Sequence, residues 1–333
     1  MVNRRTRLGW IAVSACACAG VSLAEAGDQA TVQDLIQRGY EARREGDLLV
    51  AGQALEQAVL RSQPGPSRRS LAAEVAEFWL AQDKGYRAVR LYRKLNYVRS
   101  EVDTLLEDGD YEAALAVARQ VGYERGEAIA LVRIGSSGKG DRRANGEKIK
   151  QALQLLDKND LKREKADLLF EVAKRYKPAA DLYGELNLLY PRARCYELGG
   201  QLQDAIALYG DAKTPLTQEL KDVQKRLQIA LKVQADTKLP LIARERARRN
   251  VSLFSGKLSQ LYEQLGICYH RTGSAQAHKL ADKAIQYTER QRDALLDGGR
   301  DRFGPTLVRY LKLDQRLSEL RELKRELQQP PPK

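Results

Sequence analysis

Apolar and small residues recur three and four positions apart through most of this chain, in short runs closed by glycine or proline. That period is one face of a helix, and no stretch alternates long enough to read as a strand. The pattern is clearest near the start. Leu35 and Gly39 lead to a break at Gly46-Asp47, and Ala51, Leu55 and Ala58 then share one face before Pro64-Gly65-Pro66 stops the run. Small residues let two helices approach, the glycine turns the chain, and proline ends the unit. The spacing predicts helices over 31–44 and 47–62, and looser copies of the pair over 71–82 and 85–95, 101–107 and the run after 108–114, 127–134 and 146–156, 166–176 and 178–189, and 192–198 and 202–209. The residue opening each second helix is Ala51, Ala88, Ala114, about Asn145, Ala179 and Ala205, at intervals of 37, 26, 31, 34 and 26. These intervals have the size of a helical hairpin but no fixed period, as expected of a diverged array.

The register then changes. Leu216, Leu220, Val223, Leu227 and Leu231 predict one longer helix between Pro215 and Pro240, and 241–271 predicts another that begins with Arg244, Arg246, Arg248 and Arg249. Alternate arginines spread around a helix, so this basic stretch reads as solvated. Gly273 turns into a helix carrying Ala277, Ala281 and Ala284. A final helix over 306–328, with leucines at 313, 317, 320 and 327, suits a cap on the last apolar face better than a short coiled-coil seam. Pro330-Pro331-Pro332 reads as a tail. The organisation is therefore repeats over 31–210, long helices with a further pair over 216–297, and a capping helix over 305–328. The strong helix formers Leu, Ala, Glu, Lys, Arg and Gln dominate the composition, and the fold class is all-α.

Gly39, Gly46, Ala51, Leu55, Ala58 and Pro64, with the Asp108-Gly109-Asp110 turn, resemble the tetratricopeptide repeat, a helix-turn-helix unit with a small residue in its first helix and alanines in its second. The resemblance implies a right-handed superhelical solenoid of antiparallel helix pairs, here with irregular repeat lengths and long C-terminal helices. It also implies that the first helices line a concave face that contacts a protein or peptide. Carried over residue by residue, that face holds Gln33, Ile36, Tyr40, Arg43 and Arg44 in the opening unit. It continues with Asn96, Arg99 and Asp103, then Asn187, Tyr190, Arg194 and Glu197, and late in the chain Gln260, Glu263, His270 and Arg271. Tyrosine and arginine suit interface hot spots.

The first 26 residues are a different kind of text. Arg4, Arg5 and Arg7 precede an apolar run ending at Ala24-Glu25-Ala26, the three-part pattern of an export signal. An exported protein of a bacterial periplasm or cell envelope is expected. Val13-Ser14-Ala15-Cys16 resembles a lipidation box, so a lipid anchor on Cys16 stays open beside cleavage after Ala26. The formal net charge is +13, and removing three arginines and one glutamate with residues 1–26 leaves +11. A basic exported protein meets anionic envelope surfaces before chromosomal DNA, and no nucleic-acid partner is expected.

Candidate chemistry is sparse. Gly135-Ser136-Ser137-Gly138-Lys139-Gly140 fails as a phosphate loop, because Arg133 stands where the first glycine is needed and Gly140 where Ser or Thr is needed. His270 and His278 are the only histidines, and they have no partner set for metal or triad chemistry. Cys195 and Cys268, the only cysteines beyond residue 26, lie in separate apolar helical patterns and read as buried thiols. No cofactor or catalytic set is expected. The function that follows is a non-catalytic scaffold binding protein through its concave face. Two alternatives are a peptidoglycan-associated accessory or degenerate enzyme, and an outer-membrane assembly component anchored through Cys16.

Overall fold

The computed structural model describes residues 26–137, 141–299 and 301–330. The export-signal pattern, Cys16, Gly138-Lys139-Gly140 and the final proline run from Pro331 lie outside the described residues. Every regular element described is helical: α1 (Ala26–Glu45), α2 (Leu48–Arg61), α3 (Pro66–Leu80), α4 (Gly85–Lys94), α5 (Val98–Asp108), α6 (Tyr111–Val121), α7 (Glu124–Gly135), α8 (Arg142–Lys158), α9 (Lys162–Glu171), α10 (Tyr176–Glu185), α11 (Leu189–Leu198), α12 (Leu202–Ala235), α13 (Leu241–Arg271), α14 (Ala277–Leu296), α15 (Gly304–Tyr310) and α16 (Leu313–Leu327). Each helix from α1 to α14 packs on its successor.

One turn chemistry produces this succession. A single left-handed residue follows most helices, and the next amide donates back to the carbonyl five residues earlier, the Schellman closure. Asp47 closes onto Ala42 at 2.9 Å, Tyr97 onto Tyr92 at 2.9 Å, Asp110 onto Leu105 at 3.0 Å, and Leu188 onto Tyr183 at 2.8 Å. Gly46 and Gly109 supply the left-handed residue within pairs, with φ of +86° and +90°. Between pairs it is also Asn96 (φ 56°), Asp160 (φ 50°) or Asn187 (φ 53°), residues whose short polar side chains tolerate that conformation. The side chains of Asp47, Asp110 and Asp141 then cap the next helix by accepting from the amides of Val50, Ala113 and Ala144.

The seam between helices is built from small residues. Ala51, Ala58, Ala72, Ala88, Ala114, Ala128, Ala152, Ala166, Ala179, Ala193 and Ala205 are all fully buried. Gly52 lets α2 meet α3 so closely that a Cβ there would stand 2.1 Å from the Trp79 ring.

Three elements differ from the sequence expectation. Pro215 does not separate two helices: α12 runs through it for 34 residues, about 51 Å at 1.5 Å per residue. The lost hydrogen bond is outweighed by Ala212, Leu216, Leu220, Val223 and Leu227, all buried with α13 in one core. The final leucine-spaced segment is two helices, α15 and α16, broken at Lys312 in a left-handed conformation (φ 53°). Leu317 and Leu320 of α16 are buried, and the helix packs on α14 and α13. Finally, the basic start of α13 is solvated only in part: Arg246 is exposed, but Arg248 is buried, and Arg249 pairs with Glu74 and Glu77 of α3.

That last difference reflects a larger fact. The core of α1–α4 is completed by residues from the far end of the chain, Leu295, Phe303, Leu307, Val308 and Leu313. Phe303 packs against Phe78 with the rings tilted at 44° and their centroids 4.7 Å apart. The backbone amide of Arg302 donates to the carbonyl of Arg44 at 3.2 Å, and the Arg302 guanidinium donates to the carbonyl of Glu45. The first hairpins and the last helices therefore share one core.

Candidate functional site

Most of the residues assigned to the concave face fall into three groups, whereas Asn96 and Asn187 are left-handed turn residues and Glu263 pairs with Arg316. In the first, Tyr40 is 1% exposed and its hydroxyl donates to Glu74 at 3.1 Å. Burial, reinforced by the Glu74 carboxylate, pushes its phenol well above the usual tyrosine range. Arg43 stacks over the Tyr40 ring at 5.4 Å and is itself buried. Its Nη2 donates to Glu245 Oε2 at 3.1 Å and Asp301 Oδ2 at 3.0 Å. Arg44 donates to Glu245 at 2.5 Å and to Asp297 at 2.9 Å. Arg248 completes the set through Asp301 at 2.5 Å and Glu245 at 2.8 Å. Three arginines thus meet three carboxylates drawn from α1, α13 and the segment after α14. Burial alone would lower the pKa of Arg248, but Glu245 and Asp301 raise it above the ordinary value. Gln33 stands exposed on the same helix, and Ile36 is core.

The second group lies at α11 and the end of α13. Arg194 donates to Glu197 at 2.7 Å, Arg271 pairs with Glu197 at 2.5 Å, and the Tyr209 hydroxyl donates to Glu197 at 2.6 Å. Burial pushes the Glu197 carboxyl up, but the Tyr209 hydrogen bond and the two arginines outweigh it and hold the group below the usual glutamate value. Tyr190 packs on the Tyr209 ring at 6.0 Å. His270 is buried with Nε2 2.9 Å from the carbonyl oxygen of Gln329; a carbonyl only accepts, so that nitrogen carries a proton.

The third group is open. Arg99, exposed on α5, lies over the ring of Tyr123 at 5.5 Å. The Tyr123 hydroxyl donates to Asp103 of α5 at 3.3 Å, and Arg125 of α7 donates to Tyr123 at 3.2 Å and to Glu164 of α9 at 2.9 Å. The result is a polar ladder across α5, α7 and α9, with the Arg125 side chain 44% exposed. Burial raises Asp103 above the usual aspartate range, against the pull of Arg125. Two guanidinium planes held beside a tyrosine can receive carboxylates or backbone carbonyls.

Among the described residues, no three His, Cys, Asp or Glu side chains gather where a metal ion could be held. Cys195 and Cys268 are free and buried, and burial pushes each thiol up to about 12. No described helix is long and apolar enough to cross a membrane.

The sequence pattern reached Arg43 and Arg44 without their partners, and Arg271 and Glu197 without showing that they pair. Glu245 and Asp301 carried no signal beyond the i,i+3 spacing of Glu245 and Arg248. Compared with known proteins, the chain matches no protein-family model and no curated sequence to a significant degree.

Proposed function

We propose that this chain is an exported, non-catalytic helical-repeat scaffold, a right-handed superhelical solenoid of tetratricopeptide-like pairs. In this reading it binds a protein or peptide through the inner faces of its first helices, and the contact is made by α5, α7 and α9. The observation that carries the assignment is the contrast between the three groups. Arg43, Arg44 and Arg271 are held in internal ion pairs of low exposure, whereas Arg99 and Arg125 stay solvent-facing beside Tyr123. Exposed arginines preorganised against an aromatic ring lose little freedom when they bind. Export is supported by the three-part pattern of residues 1–26.

The test is site-specific photo-crosslinking from position 124, in the first turn of α7, in cells, read against the same probe in the variant Arg99→Glu with Arg125→Glu. A discrete crosslinked protein should appear in the envelope or periplasmic fraction, and its yield should fall about tenfold in the double variant, the scale of losing two interface arginines. An unchanged yield would overturn the assignment to α5, α7 and α9, and retention in the cytoplasm would overturn export.

A further inference from the structure

The second helices of the first two pairs carry a separate surface. From Lys84 to Ser100 the chain has six basic residues and no acidic one. Some of these are committed: Arg93 pairs with Glu101, and Arg99 belongs to the ladder described above. Among the described residues, Arg87, Arg90 and Lys94 form no ion pair, although charges of both signs interleave over most of this protein. They line a recess of about 260 Å³ between α2 and α4, together with Leu60, Tyr86 and Leu91. Tyr86 is 64% exposed and Leu60 40%, both high for large apolar side chains. Leu49, 51% exposed, continues the same face of α2 at helical spacing. Arg87 is held in place: its guanidinium lies 4.5 Å over the buried Trp79 ring, and its Nε donates to the Tyr86 hydroxyl at 3.4 Å. One carboxylate, Glu56, lies on the α2 wall.

We propose that this recess is a docking site for an acidic segment of a partner protein that carries an apolar side chain. Its shape and charge both select that occupant. The recess has room for a leucine or phenylalanine side chain against Leu60 and Leu91, while the cations stand along the α4 wall. Glu56 repels carboxylates from the α2 side, so acidic residues of the ligand lie over Arg87, Arg90 and Lys94. A flat lipid surface would meet protruding apolar groups rather than an indented pair of helices, and a base stack would need more than one exposed ring. This surface is independent of the α5, α7 and α9 ladder.

Fluorescence anisotropy on the full chain tests it, with a labelled peptide alternating Glu and Leu as the probe. An all-Glu peptide, phosphatidylglycerol-containing vesicles and a poly-dT oligonucleotide are run in parallel. The Glu-Leu peptide should bind more tightly than the all-Glu peptide. Its Kd should rise about tenfold when Arg90→Glu and Lys94→Glu are combined, and also between about 50 and 300 mM salt. Leu60→Ser should weaken the Glu-Leu peptide alone. Arg99→Glu with Arg125→Glu should leave this affinity unchanged, which separates failure here from failure of the ladder. Arg90 and Lys94 are exposed and make no ion pair, so a preserved thermal melt is expected and confirms that the variant is folded. Peptide binding that ignores the charge reversal, absence of peptide binding, or vesicle or oligonucleotide binding through these residues in its place would each overturn the proposal.

Discussion

Asp301→Asn is the perturbation that most directly tests how the two ends of the chain are joined. The Asp301 side chain is fully buried, its Oδ2 receives Arg43 at 3.0 Å and Arg248 at 2.5 Å, and its Oδ1 receives the amide of Phe303 at 3.0 Å. Asparagine keeps the shape and removes the charge. Arg43 and Arg248, with side chains only 7% exposed, would then share Glu245, which already serves Arg44. Breaking one partner from a buried ion pair costs about 3–5 kcal/mol, because the stranded charge cannot recover its hydration. Glu245 retains part of the compensation, so the expectation is about 3 kcal/mol, the lower end of that range. Urea unfolding followed by Trp79 fluorescence reads it well, because Trp79 is fully buried in the shared core and is the only tryptophan beyond residue 26. As a control, Glu127→Gln breaks the pair with Arg119, whose side chain is 53% exposed, and should cost less than about 1 kcal/mol. Adding Arg43→Met to Asp301→Asn should cost less than the sum of the singles, since the second change removes a charge already stranded. A loss below about 1 kcal/mol for Asp301→Asn, or strict additivity, would refute the claim that this cluster closes the chain.

Three further outcomes follow from the geometry. Gly52→Ala should destabilise, although alanine is normally better in a helix by about 1 kcal/mol, because the new methyl would stand 2.1 Å from a Trp79 ring that has nowhere to go; a rise in the melting temperature would contradict this. Glu197, held below its ordinary value of 4.5, binds a proton less readily folded than unfolded, so its contribution is complete above that ordinary value and is lost as pH falls through the lower folded one; Glu197→Gln should therefore cost stability at neutral pH and flatten the acid limb of the stability profile. Cys195 and Cys268, buried with thiols pushed up to about 12, should react with a thiol reagent only as fast as the helices open, and burst labelling of the native protein would contradict their placement.

Local features of the fold were legible because they are written within a few residues. Gly46 before Asp47 and Gly109 before Asp110 announce a left-handed closure and a cap, and alanines at helical spacing announce a close seam. Asn96, Asp160 and Asn187 make the same closure less visibly, because an asparagine or aspartate between helical runs is also at home on a helix surface. Arg99 and Tyr123 could be read as surface groups, but not as neighbours, because their contact crosses from α5 to the cap of α7.

By itself the sequence determined that the chain is helical and roughly where most of its helices lie, although seven of them begin three to five residues before the predicted span. Each of those is settled by contacts three to five residues apart. Only the tertiary structure decided what becomes of the arginines. Arg43 lies 202 positions from Glu245 and 258 from Asp301, and nothing local distinguishes it from the exposed Arg99. Whether an arginine is buried depends on a carboxylate arriving to compensate its desolvation, and that carboxylate comes from the other end of the chain.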